Sequence, residues 1–88
     1  MKGYVYILRD EDGRFYVGST KSVENRMKLH RSGTTRTTKG MKNPQIVLVQ
    51  EYYSIILTRK VERRMKALKS KKYIDKMVSD GYIRITPS

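Results

Sequence analysis

Residues 4–20 hold two short apolar runs separated by Asp10-Glu11-Asp12-Gly13, and this arrangement fixes more of the fold than any other stretch. Tyr4 to Leu8 is aromatic and β-branched, and Arg14 to Thr20 alternates in a similar way, so both read as strands. A three-residue loop of Glu11, Asp12 and Gly13, with the glycine left-handed, is a common way to close such a hairpin. The register then pairs residue 10 with 14, 8 with 16, and 6 with 18. Side chains alternate across a strand, so Tyr4, Tyr6, Leu8, Tyr16, Gly18 and Thr20 share one sheet face. Val5, Ile7, Phe15 and Val17 share the other.

Ser22 is a good N-cap, and a helix from about Val23 to Ser32 follows, with Gly33 as its stop. Residues 34–44 form a polar loop with three basic residues, and Gln45 to Tyr53 is a third strand centred on Ile46-Val47-Leu48-Val49. Either Thr58 caps a second helix or that helix begins slightly earlier. Its apolar stripe is Leu57, Val61, Met65 and Leu68. Ser70 to Lys72 marks a break, after which Tyr73 to Asp80 is a third helix with Ile74, Met77 and Val78 inward, closed by Gly81. Tyr82, Ile83 and Ile85 in the tail are candidates to dock on the body. The order is β-β-α-β-α-α, which implies an α+β fold with a three-stranded mixed or antiparallel sheet packed by helices. With 88 residues the expectation is one domain, burying only roughly 60–65 % of the unfolded-chain surface.

Charge narrows the partners. Lysine and arginine total 20 against 8 acidic residues, a formal net charge of +12. Such an excess on a small body is self-repulsive, and a polyanion relieves the repulsion through counterion release. Residues 57–72 carry eight of the basic residues and 21–43 carry seven, enough for a surface that holds a nucleic-acid backbone without reading its sequence. The chain has no cysteine, which excludes disulfides and thiolate zinc sites. Its N-terminal apolar run of five residues is too short for a signal peptide or a membrane span, so a soluble cytoplasmic protein is the expectation.

Three groups of residues are candidates for chemistry. Seven tyrosines accompany one phenylalanine and no tryptophan. A strand tyrosine ordinarily fills a half-buried position, but the register sets Tyr6 opposite Gly18, whose missing side chain leaves a hollow, with Tyr16 as diagonal neighbour. Arg26 and His30 lie four residues apart on the first helix and point the same way. Each alone is ordinarily a surface or structural residue; together they are placed to reach a phosphate against the tyrosines, which arginine grips bidentately. Glu62 is the one acid among six bases in residues 59–69. Its ordinary role is an i,i+4 pair with Lys66. Beside Val61 at the edge of the buried stripe, it is also placed to face the sheet, and one carboxylate with waters and substrate phosphates is the usual setting for Mg²⁺ in phosphoryl transfer.

Tyr4-Val5-Tyr6, then Tyr16-Val17-Gly18 ten residues on, then Arg26, His30 and Glu62, resemble the GIY-YIG nuclease superfamily, and its small stand-alone members most. The similarity covers about residues 3–80. The resemblance implies a three-stranded antiparallel sheet flanked by helices and a metal-dependent DNA endonuclease of repair or recombination. It implies that Tyr6 helps to deprotonate the attacking water, that Tyr16 orients water or phosphate, and that Arg26 stabilises phosphate charge. His30 would assist proton transfer, and Glu62 would be the single protein ligand of Mg²⁺ or Mn²⁺. Two departures stand out. Tyr4 replaces the glycine of the first half-motif, and the asparagine many members carry after the metal-ligand helix is missing or replaced by Ser70, Ser79 or a lysine. No DNA-recognition module follows, so specificity is expected to be low, structure-directed or borrowed from a partner protein. The alternative is a catalytically weak nucleic-acid-binding protein that keeps the fold and the basic surface.

Overall fold

The structure, a computed structural model, describes residues 2–31, 42–68 and 70–85, and at 29–31 the backbone only. Strands β1 (Gly3–Arg9) and β2 (Phe15–Thr20) precede helix α1 (Val23–Arg31), strand β3 (Gln45–Tyr52) and helices α2 (Ile55–Leu68) and α3 (Lys71–Asp80). The sheet is antiparallel with order β2-β1-β3, so the first strand is central. The chain is an α+β fold of the expected order.

The hairpin register is the one the sequence implies, with Tyr6 opposite Gly18 and Leu8 opposite Tyr16. Gly13 has φ 81°, and its N–H donates to the Asp10 carbonyl at 3.0 Å. The Asp10 side chain is buried and accepts from the Arg14 backbone N–H and from Arg14 Nε, both at 2.8 Å. Burial alone would raise this carboxyl, but the Arg14 hydrogen bonds and charge outweigh it and hold it below its ordinary value. The hairpin is thus closed by backbone geometry and by a buried carboxylate paired with a largely exposed arginine.

One face of the sheet makes the core. Val5, Ile7 and Val17 pack with Leu48 against Val61 and Met65 of α2, Ile74 and Met77 of α3, and Ile83 of the tail. α2 lies across β1 and β2 and so brings its polar flank to the β2 edge. Several local expectations change. The strand ends at Tyr52, and α2 takes the earlier of its two expected starts, capped by Ser54, whose Oγ accepts from the Ile56 N–H at 3.2 Å. Thr58 is therefore inside the helix, fully buried, and its hydroxyl donates to the Ser54 carbonyl at 2.8 Å. The buried stripe is Thr58, Val61 and Met65, while Leu57 is half-buried and Leu68 is 40 % exposed. The break before α3 narrows to Ser70, which caps the helix by accepting from the Tyr73 N–H.

The expected docking of the tail holds for Ile83 and Ile85, whereas Tyr82 is exposed. Gln50 fastens it, since its Oε1 accepts from the Ile83 N–H at 2.7 Å and its Nε2 donates to the Ile83 carbonyl at 3.3 Å. A register shift between Ile7 and Leu8 sets Leu48 opposite Ile7 and Ile46 opposite Leu8, with Val47 as the extra residue of β3. Ser32, Gly33 and most of the polar loop lie outside the described residues.

Candidate active site

Tyr6 is 1 % exposed at the middle of the central strand, on the face opposite the core. Its ring crosses Gly18: a Cβ on that glycine would stand 2.5 Å from the Tyr6 hydroxyl and 2.6 Å from Cζ. The missing side chain is what lets the phenol extend over β2 toward the sheet edge. Tyr16 stands beside it, half-buried, with ring centroids 6.2 Å apart and planes tilted by 53°. Burial pushes the Tyr6 phenol well above its ordinary value. Tyr16 and Glu62 add to the rise, while Arg26 pulls the other way. The pull of Arg26 is in the direction a phenol acting as a base needs, but burial outweighs it, so the phenol keeps its proton at neutral pH.

Arg26 owes its position to the link between β2 and α1. The Thr20 hydroxyl donates to the Ser22 carbonyl at 3.0 Å and accepts from the Ser22 N–H at 3.1 Å. Ser22 Oγ then accepts from the Asn25 N–H, and the Ser22 carbonyl receives the Arg26 N–H at 3.1 Å. Arg26 thereby sits in the first turns of α1, half-buried, lining a hollow of about 370 Å³ with Ser19, Lys21, Asn25 and Arg59. His30 occupies the last turn of α1, and its side chain lies outside the described residues.

Glu62 faces the sheet, as one of its two sequence readings has it. Its Oε1 accepts from Ser19 Oγ at 2.5 Å, and the side chain is 20 % exposed. The plain helical pair is present as well, with Lys66 Nζ 2.9 Å from Oε2. Around this carboxylate Ser19, Arg59, Arg63 and Lys66 line a second hollow of about 370 Å³. The two hollows share Ser19 and Arg59, so Arg26 and Glu62 border one continuous polar surface. Tyr6 is buried and lines neither hollow, but the charges of Arg26 and Glu62 both reach its phenol.

Three participants were not singled out from the sequence as site residues: Ser19, Arg59 and Lys66. Ser19 directly follows Gly18, and Arg59 and Lys66 flank Glu62 at helical spacing, but among so many lysines and arginines that spacing carries no distinction. Of the candidates to replace the family asparagine, Ser70 borders a groove of about 520 Å³ with Tyr16, Lys66 and Lys71, while Ser79 is exposed on the last turn of α3. Asn25 lines the Arg26 hollow instead.

Among the described residues no group of three or more His, Cys, Asp or Glu side chains converges to hold a metal. The donor set does suit one hard cation that is held by a single carboxylate and completed by waters and phosphate oxygens. Glu62 is partly buried, two of its roughly four lone-pair sites are engaged, and a cation-lined hollow adjoins it.

The family described as GIY-YIG catalytic domain matches residues 2–74. The chain belongs to this family. It is similar to a UPF0213 protein of Oceanobacillus iheyensis, 32 % identical over 66 residues that make up 74 % of this chain and 77 % of that one. A UPF0213 protein of Staphylococcus haemolyticus is 34 % identical over 53 residues, 60 % of this chain and 65 % of that one. The solution NMR structure of a UPF0213 protein from Bacillus halodurans superposes with a TM-score of 0.59 at 32 % identity, covering 92 % of this chain and 87 % of that chain. The GIY-YIG domain is that of a nuclease superfamily, and the residues on or beside the β2 edge include four of the five to which the resemblance gives a role: Tyr6, Tyr16, Arg26 and Glu62. No helix among the described residues is long and apolar enough to cross a membrane.

Proposed function

We propose that this protein is a metal-dependent endonuclease that hydrolyses phosphodiester bonds of DNA, with low or structure-directed specificity, in cytoplasmic repair or recombination. The observation that carries this reading is the convergence of Arg26 and Glu62, from two separate helices, on one polar surface at the β2 edge, with the buried Tyr6 phenol reached by the charge of both. Arg26 grips the scissile phosphate and Arg59, in the same hollow, holds a neighbouring oxygen or phosphate. Tyr6 and Tyr16 orient the attacking water. Tyr6 is a donor in the resting site and becomes a base only as positive charge gathers at its oxygen, for which Arg26 is already placed. His30 assists the proton transfers. Glu62 would hold Mg²⁺ or Mn²⁺, which when bound neutralises charge on the leaving oxygen.

A second reading, a binding protein with little catalysis, draws on the protonated state of Tyr6 and on the Lys66 ammonium at Glu62. Cleavage of labelled linear, branched and single-stranded DNAs, with Mg²⁺, with Mn²⁺ and with chelator, separates the two. Cutting that needs the metal and stops with chelator is the expected result; tight binding with no cutting under either metal leaves the second reading standing. Binding itself is expected to be electrostatic. With about four phosphates neutralised, affinity falls about a hundredfold between roughly 50 and 200 mM salt, and a flat response in fluorescence anisotropy would remove the basic surface from the account.

A further inference from the structure

Two Glu-to-Lys pairs one helical turn apart appear among the described residues, and they differ in kind. Glu24–Lys28 on α1 is 3.9 Å apart with side chains 82 % and 69 % exposed, an ordinary solvated pair. Glu62–Lys66 on α2 is 2.9 Å apart, and its carboxylate is 20 % exposed and fixed from the other side by Ser19. The Lys66 ammonium also lies 5.6 Å from the centroid of the Tyr16 ring. Lys66 borders both the hollow around Glu62 and the groove beside Tyr16, so its chain has a second place to go without leaving the site.

We propose that Lys66 is the resident counterion of Glu62, a positioning residue that a divalent cation must displace before the site is loaded. The inference rests on the reading of Glu62 as the metal carboxylate. A carboxylate this enclosed needs a positive partner, and Lys66 supplies it while the metal is away. An arriving cation meets an ammonium on the oxygen it needs and is repelled by it. A phosphate entering the same hollow offers the ammonium another anion and frees Glu62. Cation and phosphate therefore bind with positive coupling, which is reciprocal by linkage. The free protein takes up metal weakly, and the site assembles only with substrate present.

Titration of the folded, DNA-free protein with Mn²⁺, read by electron paramagnetic resonance of the free ion, tests this without any cleavage. Lys66→Met is expected to bind Mn²⁺ about tenfold more tightly than wild type. Lys66→Arg, which keeps the charge, and Lys28→Met, which removes the same charge from the solvated pair, stay within about twofold of wild type. Glu62→Gln loses the site. Lys66→Met at wild-type affinity, or no binding by either protein, overturns the role of Lys66. If Glu62→Gln binds like wild type, the metal reading falls with it; if only Lys66→Met fails to change, the metal reading survives alone.

Discussion

Glu62→Gln is expected to lower metal-dependent cutting by about a thousandfold while leaving DNA affinity within about threefold of wild type. The amide keeps the size of the carboxylate, and its oxygen still accepts from Ser19, so the local packing of α2 on β2 is retained. Lost are the negative charge and the ion pair with Lys66. The buried stripe of Thr58, Val61 and Met65 that holds α2 on the sheet is untouched, so the fold survives. Charge stabilisation by a bound metal is worth several kcal/mol of barrier, and about 4 kcal/mol corresponds to three decades of rate. Affinity is set by phosphate contacts to arginines and lysines, and removing an acid from their midst does not weaken it. Single-turnover cleavage, with anisotropy measured in parallel, decides the matter. A variant that cuts at the wild-type rate removes Glu62 from the site, and one that loses binding and cutting together shows the residue to be structural.

What the sequence made legible follows from the range over which each feature is determined. The hairpin is local: Gly13 supplies the left-handed turn, alternation supplies the faces, and together they place Tyr6 over Gly18 and beside Tyr16. The cap at Ser22 is local too, and it delivers Arg26. The rotation of α2 is not. Thr58 looks like a cap, but Ser54 starts the helix and Thr58 turns inward, so the buried stripe keeps Val61 and Met65, gains Thr58 and loses Leu57 and Leu68. Glu62 was legible at the edge of that stripe, but its contact with Ser19 and the arrival of Arg59 and Lys66 at the same edge result from tertiary packing that no spacing rule distinguishes among many basic residues. The tail was legible as apolar, but its seat depends on the Gln50 side chain pairing with the Ile83 backbone across 33 residues of sequence. His30 has its place in α1, and its role rests on the resemblance.

Gly18→Ala is expected to cost about 1–3 kcal/mol of stability, because one methyl is forced into a filled space. In a domain of this size each kcal/mol lowers Tm by roughly 4–8 °C. The methyl would stand 2.5 Å from the Tyr6 hydroxyl, 2.6 Å from Cζ and 3.0 Å from Cε1. Rotation of the hydroxyl alone cannot relieve it, and the whole ring must move. Tyr6 is 1 % exposed, so the ring moves only by displacing its neighbours. A shift of about 1 Å at a catalytic group can cost about a hundredfold in rate, so cutting falls by that order while DNA affinity holds. A double-mutant cycle separates this from general damage to β2. With Tyr6→Leu in place the alanine has room, and the two stability costs fail to add by about 1 kcal/mol or more. Strict additivity in thermal unfolding, or Gly18→Ala cutting at the wild-type rate, would mean that the Tyr6 phenol does not lie over Gly18. The tyrosine arm of the site would then need another geometry, while the contacts of Glu62 with Ser19 and Lys66 would stand unchanged.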